Sequence, residues 1–331
     1  MFRLVCRVEI QQQGNGRSDT YYWDKVNTIT LARSYDKQTQ TASVILPRNI
    51  KYNDRNVYEG ENPIMRRGDR IIITAAYHPN QTVIFTGYIA KINNNVPIEL
   101  LCEDEMFLIK QAIAPNITSN SITLEEFLKK VLSEKSVPFE AINADLGKIR
   151  FPSLNVGKIL QILRDEYGLY SFFIEGKLYV GLAFYPKLAT EHYMLFERDM
   201  TADGMKLTYL KKDDVKVKVV GVIIEGTKRT EYTYGDPTGD VRTVSQIGGT
   251  KAQLDVKCNS FLEQANYTGY YGSFETFLEP KIVPGDYIVV DSWKYPERKG
   301  KYLVKSVSTT VSTDNGGKQT IELERRIAWV Y

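Results

Sequence analysis

The sequence predicts a mainly-β fold in which two similar antiparallel β-barrel modules are separated along the chain by a small helical, α+β insert. Residues 66–104 hold three short runs rich in Ile and Val, punctuated by Gly, Pro and Asn, which is the pattern of a β-meander. The same order of motifs returns at 283–323. Between these stretches the hydrophobic period becomes helical. We therefore expect a first barrel at 1–110, an insert at 111–194 and a second barrel with one helix at 195–331.

Length and composition limit the classes of protein that this chain can represent. At 331 residues with 43% apolar and 25% charged residues, the chain is long enough for two or three packed domains and is not a disordered sequence. Its net charge of +3 is spread without a basic block, so we expect no specific nucleic-acid recognition. Its three cysteines lack metal-ligand spacing. The sequence has no long apolar run and no signal-peptide core, which predicts no membrane insertion and no export by that route.

The first barrel is predicted from alternating apolar residues and from turn signals. The chain opens with a half-buried strand whose inward positions are Phe2, Leu4, Cys6, Val8 and Ile10. Further strands are expected at 21–31 and 41–46, followed by the three runs of 66–104. Six or so antiparallel strands suit a small barrel better than a flat open sheet.

The insert is predicted from two helix signatures and a hairpin. Thr123 and Glu126 form a capping box ahead of an apolar stripe at Leu124, Phe127, Leu128, Val131 and Leu132. A second helix is expected after 152–153, closed by Gly168. Two short apolar runs flank Glu175 and Gly176, which predicts a tight hairpin.

The third segment mixes strand and helix patterns. Val215, Val217 and Val219 alternate with lysines and predict a strand. Glycines scattered through 226–250 favour a long mobile excursion. Helical spacing then relates Leu254, Cys258, Phe261, Leu262 and Ala265, so Cys258 is expected in a core.

The two meanders share motifs that suggest one unit used twice. The pair Gly68-Asp69 matches Gly285-Asp286, and Gly87-Tyr88-Ile89 parallels Gly300 with Tyr302-Leu303. Ile98-Glu99-Leu100 likewise matches 321–323. Gly-Asp before an apolar strand is also common turn chemistry, but the kept order favours duplication. Glycines would supply positive φ and aspartates would cap turn amides. The residues assigned to this structural and assembly framework are Gly68, Asp69, Gly87, Tyr88, Gly285, Asp286, Gly300 and Tyr302.

A catalytic constellation is not recognisable in the sequence. Of the two histidines, His78 falls in a predicted turn and His192 in a predicted linker, and neither has a cluster of partners. Glu103, Asp104 and Glu105 are consecutive carboxylates at a strand end, where a solvated edge is the usual interpretation. We therefore expect no enzyme, with no catalytic, cofactor-binding or metal-binding residues.

The motifs in their order resemble the baseplate hub proteins of contractile-tailed bacteriophages, of the late control protein D type. The segments that carry the resemblance to the first barrel of that family are 43–47, 67–73, 85–89 and 100–104, and those for the second barrel are 269–273, 284–290, 300–305 and 321–323. The resemblance covers nearly the whole chain. Each motif alone is weak, and their order of appearance is the specific part.

The resemblance implies a structural protein of a phage, a prophage or a related contractile injection system. Such a hub is a homotrimer whose two barrels per chain give a pseudo-six-fold ring, joining the hexameric tail tube protein to the trimeric central spike protein among other baseplate components. It implies a place in the virion tail baseplate, after assembly in the bacterial cytoplasm. Since the sequence ends at Tyr331 after the second meander, any spike or lytic activity is expected on a separate polypeptide.

Two alternatives from other functional classes stay open at the level of sequence. A tail-associated cell-wall hydrolase would use a carboxylate such as Asp104 or Glu105, and its activity on peptidoglycan would vanish when these are replaced by amides. A carbohydrate- or receptor-binding β-module would use exposed aromatic residues such as Trp23, Trp293 and Trp329.

Overall fold

The structure of the chain is a computed structural model. It describes residues 3–14, 16–47, 51–52, 55–56, 64–93, 97–133, 135, 137–174, 176–181, 189–201, 205–211, 216–225, 228–247, 251–265, 268–312 and 316–328. The structure is 52% strand and 16% helix, with large antiparallel sheets, so the predicted mainly-β fold class is confirmed. No described helix is both long and apolar enough to cross a membrane.

The N-terminal part of the chain forms a module of antiparallel strands around one core. Its elements are β1 (Leu4–Gln11), β2 (Thr20–Trp23), β3 (Thr28–Ser34), β4 (Thr41–Ile45), β5 (Lys51–Tyr52), β6 (Arg55–Asn56), β7 (Arg70–Tyr77), β8 (Val83–Asn93) and β9 (Glu99–Glu103). The hydrogen-bonded order is β3-β4-β9-β8-β7-β1-β2, and we call these seven strands the first module. Alternate side chains such as Val8, Ile10, Ile71 and Ile73 are fully buried, as the period of two requires.

The single strand predicted at 21–31 is two strands in the structure. β2 pairs with β1 and β3 pairs with β4, so the chain changes partner between Trp23 and Thr28. One continuous strand could not serve both ladders. Phe2, at the start of the predicted first strand, lies outside the described residues.

The insert has its own core and the predicted helices. Its elements are α1 (Met106–Ile109), β10 (Ile117–Ser119), α2 (Leu124–Val131), β11 (Phe139–Ala141), β12 (Ile149–Phe151), α3 (Val156–Tyr167), β13 (Tyr170–Ile174) and β14 (Lys177–Gly181). Thr123 and Glu126 form both hydrogen bonds of the capping box at α2, and Gly168 ends α3 with φ +67°. β13 and β14 form the predicted hairpin, although Glu175 in its turn lies outside the described residues.

The C-terminal part forms a second module and a satellite subdomain. Its elements are β15 (Glu191–Leu195), α4 (Phe196–Asp199), β16 (Lys206–Leu210), β17 (Val217–Glu225), β18 (Lys228–Gly235), β19 (Asp240–Ile247), α5 (Lys251–Ala265), β20 (Gly269–Phe277), β21 (Tyr287–Asp291), a 3-10 turn (Pro296–Arg298), β22 (Gly300–Ser312) and β23 (Gly316–Ala328). We call the path β16-β20-β23-β22-β21-β15 the second module.

The satellite subdomain corrects the mobile excursion predicted at 226–250. β18 and β19 occupy most of that stretch and flank β17 in a three-stranded sheet against which α5 packs. Gly235, at φ +82°, ends β18 and Gly239 precedes β19, so these two glycines flank the turn, while Tyr, Thr and Val in the strands favour β-structure. Cys258 is fully buried in this small core as predicted, whereas Phe261 remains exposed. Val215 lies outside the described residues.

The two modules join edge to edge, although the insert separates them along the chain. β3 of the first module pairs antiparallel with β22 of the second, from Ser34 opposite Ser306 to Thr28 opposite Ser312. This junction merges both modules into one sheet of thirteen strands. Side chains reinforce it, because the hydroxyl group of Tyr35 donates to Glu324 Oε2 at 2.6 Å.

Candidate functional site

The turn at Asp69 organises the entry to β7. The carboxylate is fully buried; its Oδ2 accepts the backbone N–H of Arg66 at 2.8 Å and its Oδ1 accepts that of Gln13 at 3.0 Å. Both terminal nitrogens of Arg17 donate to the same carboxylate, Nη1 to Oδ1 and Nη2 to Oδ2, at 3.0 Å each. A buried charge is tolerated only when it is paired and hydrogen-bonded, and this one has both forms of compensation.

The turn at Asp286 repeats this arrangement at the entry to β21. Oδ2 of Asp286 accepts the backbone N–H of Val283 at 3.0 Å, and Oδ1 accepts that of Thr190 at 2.9 Å. The third partner differs, since Nε2 of His192 lies 3.1 Å from Oδ2. Each aspartate therefore accepts two backbone amides, one of them from the equivalent residue three positions earlier, but the two hold different side chains.

The main chain around both turns is also the same. Gly68 and Gly285 both have φ +93°, which L side chains rarely adopt. The N–H of Gly68 donates to the carbonyl of Ile89 at 2.8 Å, and that of Gly285 donates to the carbonyl of Val304 at 2.9 Å. Ile89 and Val304 each return their N–H to the carbonyl of the neighbouring aspartate at 2.9 Å. Ile89 and Val304 therefore hold equivalent places.

The strand registers extend the equivalence across both modules. Immediately after the equivalent residue, β8 has a bulge at Ala90 and β22 has one at Lys305. The facing pairs are Ile89 with Cys102 and Lys91 with Leu101 in the first module, and Val304 with Leu323 and Ser306 with Glu322 in the second. One supersecondary unit is present twice, with the same bulge at the same position.

This register corrects the alignment drawn from sequence. The motifs paired Ile89 with Leu303 and Tyr88 with Tyr302, whereas the hydrogen bonds match Ile89 with Val304. Tyr302 therefore corresponds to Gly87, one residue before Tyr88. The match of 98–100 with 321–323 is shifted as well, by two residues.

The shift explains why the two tyrosines occupy different surroundings. Tyr302 is fully buried, and its hydroxyl oxygen accepts the backbone N–H of Tyr270 at 2.9 Å. Tyr88 is half-buried and stacks on Phe107, with 5.8 Å between ring centroids. At Gly87 a Cβ atom would lie 2.1 Å from the carbonyl oxygen of Glu103, so a close approach of two strands requires glycine there.

Gly300 has yet another place in the structure. It is a buried residue at the start of β22, where it faces Val290 of β21. Its resemblance to Gly87 in sequence therefore does not reflect an equivalent position in the repeat.

His192 is in β15 and not in a linker as predicted. It faces Ile288 in the parallel pairing of β15 with β21. In the first module the equivalent strand, β1, runs antiparallel to β7. The sequence pattern concealed β15 because only Met194 of its five residues is buried. His78 is followed by Pro79 in the turn after β7, as predicted.

Among the described strands, the edges of β16 and of residues 91–93 in β8 have no partner, whereas the equivalent edges at the β3–β22 junction are paired. The correspondence of β16 with β3 follows from the ladders, which run Leu31, Ala42, Cys102 in the first module and Leu207, Gly272, Leu323 in the second. β3 pairs on its far side with β22, whereas β16 pairs only with β20 among the described strands. Likewise residues 91–93 of β8 pair only with β9, as far as the described residues extend.

A cleft of about 630 Å³ lies where the insert meets both modules. Arg33, Asp104, Phe172 and Lys281 are among its lining residues. Burial lowers the pKa of the Arg33 guanidinium to about 10 and raises the pKa of Asp104 to about 7. Within the described parts of the chain, no group of three or more His, Cys, Asp or Glu side chains is placed to hold a metal ion.

The Asp104 carboxylate has a structural task at this cleft. Its Oδ2 accepts the backbone N–H of Gln40 at 3.0 Å, and its Oδ1 accepts that of Met106 at 3.1 Å. The solvated edge expected for 103–105 is wrong for this residue, because Asp104 is buried. Its hydrogen bonds fix the start of α1 and account for the residue without catalysis.

The tryptophans considered for ligand binding differ in accessibility. Trp23 is buried in the core of the first module and packs 6.1 Å from Tyr21 between ring centroids, so it cannot contribute to a surface. Trp293 is 62% exposed in the loop after β21. Trp329 lies outside the described residues.

Comparisons with known proteins give the fold a wider context. No protein-family model matches the sequence, and no curated protein matches it. Among solved structures, a tail protein from Neisseria meningitidis is similar with a TM-score of 0.63 at 15% identity, over 97% of this chain and 96% of that one. A 43 kDa tail protein of prophage MuSo2 from Shewanella oneidensis gives 0.60 at 12%, over 98% of both.

A third similar structure comes from a secretion system. It is a component of the type VI secretion system of E. coli, described as similar to bacteriophage T4 tail proteins, with a TM-score of 0.52 at 10% identity over 92% of this chain and 76% of that one. At these identities the likeness is one of fold.

Proposed function

We propose that this chain is a structural protein of a phage or prophage tail, or of a related contractile injection system, and that it acts there as the baseplate hub of late control protein D type. The observation that carries the proposal is the module present twice in one chain, with the same aspartate turn, the same bulge and the same strand order. The full-length fold likeness to two tail proteins supports it.

A duplicated module fits a particular symmetry problem. A trimer of chains with two equivalent modules each presents six similar units, so one docking contact can be repeated around a six-fold tube while the trimer still fits a three-fold spike. The proposed partners are two further copies of this chain, the tail tube protein, the central spike protein and other baseplate components. The proposed location is the tail baseplate of the virion, after assembly in the bacterial cytoplasm.

The solution mass and the capture of partners test this function together. We expect light scattering across a concentration series to give three times the chain mass of 37.9 kDa. We also expect the purified chain to co-elute with the tube and spike proteins of its own gene cluster. A chain that is monomeric at every concentration and captures neither protein would contradict the hub.

A further inference from the structure

The outer edge of β16 has no pairing strand among the described residues. None of its five residues is buried, and its exposed members include Lys206 and Thr208. An open strand edge offers a row of unpaired N–H and C=O groups and is a template for another strand. Since β3 has a strand on the corresponding edge, β16 is the place where the repeat is incomplete within one chain.

The junction inside the chain shows what completes such an edge. β22 is longer than its neighbour β21, which pairs with residues 300–303 only. On the same edge β3 then pairs with residues 306–312, beyond the bulge at Lys305. In the first module the pairing of β7 with β8 extends only to Tyr88. Residues 91–93, beyond the bulge at Ala90, have no strand on that edge within the described part of the chain.

We propose that the free edge of β16 in one copy of this chain pairs antiparallel with residues 91–93 of β8 in a neighbouring copy. The pairing would repeat between chains the β3–β22 junction that each chain contains. The inference deepens the proposed hub ring and rests on it, because it names the contact that closes the ring.

The repeat fixes the register of this contact. Inside the chain, Ser306 of β22 faces Ser34 of β3. The equivalent of Ser306 is Lys91 and the equivalent of Ser34 is Leu210, so Lys91 would face Leu210 of the neighbouring chain. The same rule places Ile92 opposite Tyr209 and Asn93 opposite Thr208. The template of the last pair is Ser308 opposite Ala32.

Burial of the side chains agrees with this register. None of the residues in the proposed pair or in its template is buried: Thr208 is exposed and its equivalent Ala32 half-buried, while Asn93 is half-buried and its equivalent Ser308 exposed. These residues share the outer face of the sheet. Each contact joins β16 of one chain to β8 of the next, so the interface is heterologous. Such an interface forms a ring when the rotation that relates neighbouring chains closes after a whole number of chains.

Disulfide crosslinking of the full chain tests the contact and its register. The double variant Asn93→Cys/Thr208→Cys is oxidised and separated without reductant. Directly facing positions bring Cβ atoms close enough for a disulfide, whereas a diagonal neighbour is roughly 7–8 Å away. The matched positive control is Ala32→Cys/Ser308→Cys, which crosslinks within one chain. The off-register control is Asn93→Cys/Lys206→Cys, and the single variants report on the native cysteines.

We expect covalent trimers from the facing pair, at roughly tenfold the yield of the off-register pair. Hydrogen exchange of the unmodified chain provides a second readout, with outward amides of 206–210 protected in the assembled fraction. A chain that is trimeric in solution but gives no such crosslink, while the positive control does, would overturn the strand pairing and leave the ring intact. A monomeric chain without crosslinks would overturn both.

Discussion

The two aspartate turns are the most informative pair of regions in this molecule. Asp69 and Asp286 each accept two backbone amides and follow glycines with the same φ, yet one holds an arginine and the other a histidine. The amide on Oδ1 comes from Gln13, just after β1, in one module and from Thr190, just before β15, in the other.

The part that the two turns share is the set of hydrogen bonds to a buried carboxylate. β1 and β15 run in opposite directions beside β7 and β21, but a residue adjoining each strand donates one N–H to the carboxylate. In both modules the buried carboxylate has hydrogen-bonded partners, as a buried polar group requires, whereas the strand direction and the side chain that pairs with the carboxylate differ. The turn is therefore the part that both modules share, whereas the strand beside it differs in direction between the modules and contributes one backbone amide in either case.

The largest effect is expected when each carboxylate is removed. Asp69→Ala leaves two backbone amides without an acceptor and removes the carboxylate that pairs with the largely buried Arg17, which keeps only its hydrogen bond to the carbonyl of Ile64. The free energy of unfolding should therefore fall by about 3–5 kcal/mol. Asp286→Ala strands two amides beside a histidine and should cost about 2–3 kcal/mol. Urea unfolding followed by circular dichroism measures both. A larger loss at Asp286 would break the ranking of the two turns.

Replacing the third partner sharpens the same comparison. Arg17→Ala removes a bidentate, charge-assisted contact and should cost about 1.5–3 kcal/mol. His192→Ala removes one hydrogen bond and should cost about 0.5–1.5 kcal/mol. Thermal unfolding of both variants at one pH gives the ranking. If Arg17→Ala and His192→Ala lower the free energy of unfolding equally, the bidentate guanidinium contact stabilises the first turn no more than the single histidine contact stabilises the second.

The glycines should respond alike in both modules. Gly68→Ala and Gly285→Ala each force an alanine to φ +93°, which should cost about 1–2 kcal/mol in either turn. Gly14→Ala, at φ +71° with open space around it in a loop, is a control for left-handed glycine outside the repeat. Unequal shifts of the unfolding midpoint for Gly68 and Gly285 would show that the shared backbone geometry does not set the energetics.

Local chemistry allowed much of the fold to be predicted from sequence. The order of the meander motifs identified the duplication, and Thr123, Glu126 and Gly168 located helix ends because capping depends on nearby residues. The register of the repeat was not predictable. A bulge at Ala90 and Lys305 leaves no signature in composition, so Tyr302 was aligned with the wrong residue.

Features that depend on distant partners were also missed. The β3–β22 junction joins strands from opposite ends of the chain, and no pattern within either strand specifies the other. β15 has one buried side chain, so its sequence lacks a strand pattern, and it is a strand because it pairs with β21. Gly235 and Gly239 flank a turn, but the glycine pattern does not reveal β18 and β19 on either side of it.

In the proposed hub, the duplicated module repeats one sheet junction around a closed ring. Electron cryomicroscopy of the assembled chain tests it most directly, by counting the junctions and tracing their strands. We predict six similar modules around a central opening, with β3–β22 junctions inside chains alternating with β16–β8 junctions between chains. A ring in which modules of neighbouring chains meet through other surfaces, or an assembly with no closed ring, would contradict the claim.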